Sequence, residues 1–349
     1  MLHPSFQRLA ASPEYSGART LMQRTYDQWA SADAHFVREL QTKGFDARVF
    51  ELYLAAALRS IGLTIGREGN RPDFRCSDSG HEFYVEAATA HLPDNPAPPA
   101  TVEDYFAQFG LQTENEDEVA VRFGSVLRSK AGRRYEELPH VAGKPIVLAV
   151  QAFFGPGALL HSERPLLRYL YDLALTEVDD DGVVTPTHAA VGCHVGDTKT
   201  IPSGWFDGEE SSYISAVLWS NTGTAAKFNR MAAGLGLGTP GWEIHRFGVE
   251  LDPRPGMTEP ARFVERVGPG RPEPWEEGLV LIHNPSAKFP LPESGLAGVT
   301  QIRRVGSDLS INSVGRRIYS QMSFFHPVSD RAKMLKRIHD ILSSGHVPS

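Results

Sequence analysis

Residues 71–88 read Arg71-Pro72-Asp73-Phe74-Arg75-Cys76-Ser77-Asp78-Ser79-Gly80-His81-Glu82-Phe83-Tyr84-Val85-Glu86-Ala87-Ala88. Two short runs of strand-forming residues, Pro72 to Cys76 and His81 to Ala88, flank Ser77-Asp78-Ser79-Gly80, a composition that turns the chain. The spacing predicts a β-hairpin. Proline is tolerated at the first position of a strand, which sets Asp73 at a strand mouth. Glu86 interrupts a run that otherwise reads as a core strand.

Before the hairpin, Asp46 to Ser60 (DARVFELYLAAALRS) predicts a helix with Asp46 as N-cap and Gly62 closing it. Leu52 to Leu58 is apolar nearly all round, which marks a buried helix. Glu51 shares a face with Leu54, Ala55 and Leu58, so its carboxylate needs a cation, a hydrogen-bonding partner or a metal. Residues 1 to 44 read as a polar helical layer. Beyond the hairpin, His91 to Thr101 holds four prolines and reads as a loop. A helix from Glu116 to about Leu138 and a buried strand from Pro145 to Gln151 follow. Past Gly155 the pattern predicts a helix near Pro165 to Leu175, a turn at Asp179 to Gly182, and strands at Ile214 to Trp219, Gly278 to His283 and Thr300 to Val305. A basic amphipathic helix, Ser329 to Ser343, comes last. The order predicts an α/β protein with a mixed sheet flanked by helices, in three blocks: a helical layer at 1–45, a core at 46–155, and an α/β extension at 156–349 that continues the core sheet.

The chain has 349 residues, 41 % hydrophobic and 22 % charged, with 35 Lys and Arg against 42 Asp and Glu, a formal net charge of -7. That length supports a sizeable core. Cys76 and Cys193 lie far apart without a Cys/His cluster, which excludes a disulfide framework and a structural zinc site of the usual spacing. His188 and His194 beside Cys193 do not alter that. No basic leader with an apolar run follows Met1, and no apolar stretch of about 18 residues occurs; the expectation is a cytoplasmic protein without membrane contact. An acidic chain does not coat nucleic acid through its whole surface, so any contact with phosphate is local. Gly234 to Gly238 lacks the Lys-Ser/Thr of a phosphate loop. His283-Asn284-Pro285 reads as a strand end. Trp219 to Met231 reads as a polar insert whose Lys227 and Arg230 either meet phosphate or cap a strand.

Glu51, Asp73 and Glu86 can converge from a helix and two paired strands, the way hard divalent ions such as Mg²⁺ are held by one or two carboxylates with waters and substrate phosphates. At these residues the sequence resembles the PD-(D/E)XK nuclease superfamily, the restriction-endonuclease-like fold: Phe50-Glu51-Leu52-Tyr53-Leu54 on the helix, Pro72-Asp73-Phe74, and Val85-Glu86-Ala87-Ala88. The resemblance spans about residues 46 to 151. It implies a metal (Mg²⁺ or Mn²⁺) held by Asp73, Glu86 and the Ala87 carbonyl with Glu51 assisting, and phosphodiester hydrolysis of nucleic acid, DNA ahead of RNA, in defence or nucleic-acid processing. The family's lysine, two positions after the second acid, is Ala88 here. Either another residue supplies the cation or the fold binds nucleic acid or a protein partner without cleaving. Lys130, on the basic helix Arg122 to Tyr135, is the first candidate for a migrated lysine and Gln151 the second for orienting water. Arg128, Arg133 and Arg134 on that helix are the candidate phosphate contacts. The competing explanation is plain ion pairing, of Glu51 with Arg48 or Arg59 and of Glu86 with Arg75.

Overall fold

The computed structural model describes residues 1–29, 33–78, 80–91, 115–154, 156–174, 177–178, 184–185, 189–252, 254, 260–270 and 273–343. Most of the proline-rich segment, the turn at 179–182 and His188 lie outside them. An eight-stranded mixed sheet runs through the molecule in the order β1 (Thr64–Gly66), β2 (Phe74–Ser77), β3 (Glu82–Ala90), β4 (Ile146–Ala152), β9 (Ala216–Ser220), β12 (Leu279–His283), β13 (Thr300–Val305) and β14 (Asp308–Asn312). The central pairs β3/β4 and β4/β9 are parallel, while β2/β3 and β9/β12 are antiparallel. Short hairpins, β5 (Glu177–Val178) with β6 (Val184–Thr185) and β7 (Cys193–Val195) with β8 (Thr200–Pro202), lie between β4 and β9 in sequence.

Strand residues point alternately to the two faces of a sheet, and each face of this one has its own core. Phe83, Val85 and Ala87 of β3 join Val147 and Ala149 of β4 in the layer under helix α4 (Phe45–Ser60). Tyr84, Ala88 and Ala90 join Leu148 and Val150 in the layer under α5 (Glu116–Ala131) and α6 (Arg164–Tyr171). The near-continuous apolar β4 is what a strand covered on both faces requires. Helices α1 (Pro4–Ala11), α2 (Ser16–Trp29) and α3 (Ala34–Gln41) make the N-terminal layer on the α4 side.

Several boundaries differ from the sequence expectation. Helix α4 starts at Phe45 with Gly44 at its N-cap, so Asp46 lies inside the first turn, where burial pushes its carboxyl up to about 6. Helix α5 stops at Ala131: Gly132 N–H closes on the Arg128 and Lys130 carbonyls, and Arg134 then takes a left-handed φ of 52°. Helix α6 ends at Tyr171 before Asp172 at φ 57°. Trp219 to Met231 is no polar insert, because Ala225–Gly234 forms helix α7 with Lys227, Asn229 and Arg230 buried. A second, three-stranded antiparallel sheet, β11 (Pro260–Val267), β10 (Trp242–Leu251) and β15 (Ile318–Pro327), is absent from the sequence reading. One face of β10 and β15 carries Phe247, Val249, Met322 and Phe324 against Ile338 and Ile341 of helix α8 (Arg331–Ser343). No helix among the described residues is long and apolar enough to cross a membrane.

Candidate active site

The parity of β3 decides which side the acids take. Continuing the β2/β3 register past Phe74↔Val85 sets Asp73 opposite Glu86, so the two share the face that α5 covers. At the point where the β2 ladder ends, the Asp73 carboxylate takes its place, accepting the Ala87 N–H at 2.8 Å. The next backbone partner for Ala87 in that register would be Pro72, which has no N–H to give. The Ala87 carbonyl, on the same edge as its N–H, therefore opens towards Asp73.

Lys130 comes down from α5 onto this face. Its Nζ lies 2.6 Å from Glu86 Oε1, and Arg133 Nη1 reaches the same oxygen at 3.5 Å. Ala88, two residues past Glu86, also faces α5 and lines the same cleft. The cation beside Glu86 thus comes from the helix packed over the strand. Glu86 is only 2 % exposed. Its other oxygen, Oε2, and the hydroxyl of Tyr135 are buried with no partner but each other, and that contact is not a well-aligned hydrogen bond. Burial and then the charge of Glu86 push the Tyr135 hydroxyl pKa upward, which sets that hydroxyl beside the carboxylate. Orphaned buried oxygens are rare in folded proteins and mark places where an ion or water belongs.

Glu51 arrives from α4, on the other side of the sheet. Arg48, one turn earlier, donates from Nη1 to both of its oxygens at 2.6 and 2.8 Å, and the guanidinium is stacked over Phe36 of α3, 5.3 Å from the ring centroid. Arg67 pairs with Asp33 at 2.8 Å and lies over Trp29, 4.8 Å from the centroid. The N-terminal layer therefore builds one wall of the site. The acids and these cations line one open cleft of about 1010 Å³, which also takes in Arg71, Lys130 and Arg133. Sequence reading missed Arg67, Arg71 and Tyr135, and treated Arg48 only as an ion-pair partner; nothing in their local pattern marks them.

Burial raises the Asp73 carboxyl well above the usual carboxylate range, and the charges of Glu51 and Glu86 add to that, against Lys130 and the Ala87 N–H. Glu51 is raised by burial and more weakly by Glu86, with Arg48 opposing. Crowded carboxylates of this kind gain most when a cation joins them.

The donor set suits an oxygen-seeking divalent ion at Asp73 and Glu86: one carboxylate tied to backbone, one buried with an unpaired oxygen, and an available carbonyl. Glu51 does not complete a tight trio. Among the described residues, Glu243, His245 and His326 are the only three His, Cys, Asp or Glu residues whose ligand atoms all lie within 4.8 Å of one another.

Three other expected site residues stand elsewhere. Gln151 is fully buried on the α4 face; its Oε1 accepts from Gly223 N at 2.7 Å and Ser220 Oγ at 2.7 Å, and its Nε2 donates to the Gly223 carbonyl. A Cβ on Gly223 would lie 2.8 Å from that Oε1, so the approach needs glycine. Gln151 is out of reach of water in the cleft because position 151 has the opposite parity to Glu86. Arg128 is drawn away from the cleft by the Tyr169 hydroxyl at 3.0 Å and Glu210 at 3.2 Å. Arg134, past the helix end, pairs with Glu136 and Glu137. Nor does Arg75 pair with Glu86; it meets Glu68 and Glu82.

No protein-family model, curated protein or solved structure matches this chain.

Proposed function

We propose that the cleft binds nucleic-acid phosphate and hydrolyses a phosphodiester with the help of a divalent cation, as a divergent relative of the PD-(D/E)XK nucleases acting on DNA ahead of RNA. The observation that carries the reading is Lys130, seated 2.6 Å from Glu86 on the face shared by Asp73 and Ala88. Asp73, Glu86 and the Ala87 carbonyl would hold Mg²⁺ or Mn²⁺. Such an ion polarises a phosphate oxygen and lowers the pKa of a bound water towards neutrality. Lys130 stabilises negative charge that develops on the phosphate, in a setting where fixed charges act more strongly than in bulk water. Arg133, Arg71 and Arg67 hold flanking phosphates and set position without reading sequence. The Arg48–Glu51 pair keeps a third carboxylate near the ion's outer sphere and ties the cleft wall to α3.

A second reading, a module that binds without cleaving, is favoured by one observation: the Lys130 ammonium already neutralises Glu86, and Glu51 does not close a three-carboxylate set. One experiment separates them. Purified protein is incubated with plasmid, linear duplex, single-stranded DNA and RNA, with Mg²⁺, Mn²⁺ or EDTA, beside Asp73→Ala, Glu86→Ala and Lys130→Ala. Metal-dependent cleavage lost in all three variants supports hydrolysis; binding without cleavage in the wild type supports the module. Cleavage equal in the wild type and the acid variants would come from a contaminant and refute the site.

A further inference from the structure

The second sheet gathers a different set of donors. Glu243 and His245 lie two residues apart on β10 and so share a face, and Glu243 stands directly opposite His326 of β15. All three are buried, at 8, 4 and 1 % exposure. His245 Nδ1 and His326 Nε2 meet at 2.8 Å, and the Glu243 carboxylate completes a group with ligand atoms within 4.8 Å.

The orientation of His326 is fixed by its backbone. Its Nδ1 lies 2.8 Å from the Pro327 carbonyl, an oxygen that can only accept, so Nδ1 carries the proton and Nε2 turns a lone pair towards His245. A histidine held through one nitrogen by a carbonyl, with the other nitrogen aimed at a neighbouring donor set, is the usual arrangement around a metal-binding imidazole. Glu243 is braced likewise: Arg266 Nη1 lies 3.0 Å from Oε1, Arg331 Nε lies 2.6 Å from Oε2, and Arg331 Nη2 also meets Oε1. Oε1 accepts from both arginines, whereas Oε2 accepts only from Arg331 Nε and keeps a second lone pair for an ion.

We propose that Glu243, His245 and His326 form a binding site for a borderline transition-metal ion of the Zn²⁺, Co²⁺, Ni²⁺ or Cu²⁺ class, separate from the acidic cleft. Imidazole nitrogens with one carboxylate select such ions over Mg²⁺ and Ca²⁺, which take oxygen ligands. The spacing agrees. With metal–nitrogen bonds of about 2.0–2.1 Å, two ligands on adjacent positions stand about 2.9 Å apart at a right angle and about 3.3 Å apart at a tetrahedral one. The observed 2.8 Å matches the first and opens to the second by roughly half an ångström. Binding requires only that His245 carry its proton on Nε2 instead of Nδ1. Three protein ligands leave the ion an open position for water or an exogenous ligand. The two arginines on Glu243 orient it and, being cations, hold the affinity below that of a closed structural site.

The test uses the full chain without a polyhistidine tag, titrated with Co²⁺ in excess Mg²⁺, so that the oxygen site is occupied by Mg²⁺. The expected result is one equivalent of Co²⁺ with visible ligand-field absorption, displaced by Zn²⁺, and an affinity reduced at least tenfold in both His245→Ala and His326→Gln. Because either change can disturb the sheet, a second measurement uses the unaltered protein: Zn²⁺ should protect His245 and His326 from a histidine-directed acylating reagent, read by peptide mass spectrometry. Absence of the absorption band, equal binding by the histidine variants, or equal labelling with and without Zn²⁺ overturns the proposal.

Discussion

Replacing Lys130 by Met removes the ammonium 2.6 Å from Glu86 and leaves a carboxylate that is 2 % exposed. Breaking a buried ion pair by removing one partner costs about 3–5 kcal/mol. Arg133 moderates this, since it already stands 3.5 Å from the same oxygen on a side chain that is half exposed. Roughly 2–3 kcal/mol should therefore be lost in Lys130→Met. Glu86→Gln is the milder change. The Lys130 side chain retains 17 % exposure and can turn its charge to water, while loss of the Glu86 charge relieves Asp73; about 1 kcal/mol or less is expected. The double variant should unfold close to Glu86→Gln alone, giving a coupling of about 2 kcal/mol. Urea unfolding of the four proteins at pH 7.5 in EDTA, with a common dependence on denaturant, measures it. A coupling below about 0.5 kcal/mol, the level found for independent sites, would refute the buried pair and with it the role given to Lys130.

Asp73 and Glu51 are both raised in the folded chain, so between their unfolded and folded pKa values the native state holds more protons and stability falls as pH rises. Mg²⁺, which binds the ionised acids, should raise the unfolding midpoint more at pH 8 than at pH 5; an equal or opposite difference in thermal melts contradicts the assignment. Gln151→Leu should cost about 2–4 kcal/mol by stranding the buried Gly223 and Ser220 groups, yet leave any metal-dependent cleavage unchanged once the variant is shown to be folded; loss of cleavage in a folded variant would return Gln151 to the site. On the proposed reading, Arg71→Ala should weaken nucleic-acid binding alike for all sequences and reduce the slope of log affinity against log salt by about 0.9, measured by fluorescence anisotropy; an unchanged slope removes Arg71 from the phosphate path.

The first half of the chain was legible because its signals are local. The hairpin, α4 and β4 each declare themselves by apolar period and by turn or capping residues, and Asp73 and Glu86 are conspicuous as acids within strand text. Lys130 was singled out by its position on the helix that, in the fold the sequence resembles, packs beside the acids, and it stands 2.6 Å from Glu86. Gln151 and Arg128 were misjudged because a strand end and a helix face each need a register the sequence does not state: β3 pairs with β4 as Glu86↔Leu148, which turns residue 151 to the other face. The second sheet escaped notice for a different reason. The face of β10 and β15 opposite α8 carries Arg246 and Gln321, joined at 2.8 Å, and Arg246 also meets Glu273 and Glu277 at 2.6 and 2.5 Å. Charges at core positions hide a strand until their distant partners are known. Helix α7 was disguised in the same way, since Arg230 is neutralised by Glu273 at 2.9 Å, far along the chain.

The alternation of β3 bears on how this chain can change over generations. Its odd positions belong to the α4 layer and its even ones to the α5 layer, so losing or gaining a single residue between the turn and Glu86 would exchange the contents of the two. Glu86 would be pressed among Val147, Ala149 and the apolar flank of α4, and Val85 or Ala87 would face Lys130. Substitutions along the strand can be absorbed one at a time, but an odd-numbered length change unfolds the core as it dismantles the site. Drift in the hairpin is therefore expected to come in steps of two residues or as extra loop at the turn, and the acid and its helical lysine are inherited together with the packing that surrounds them.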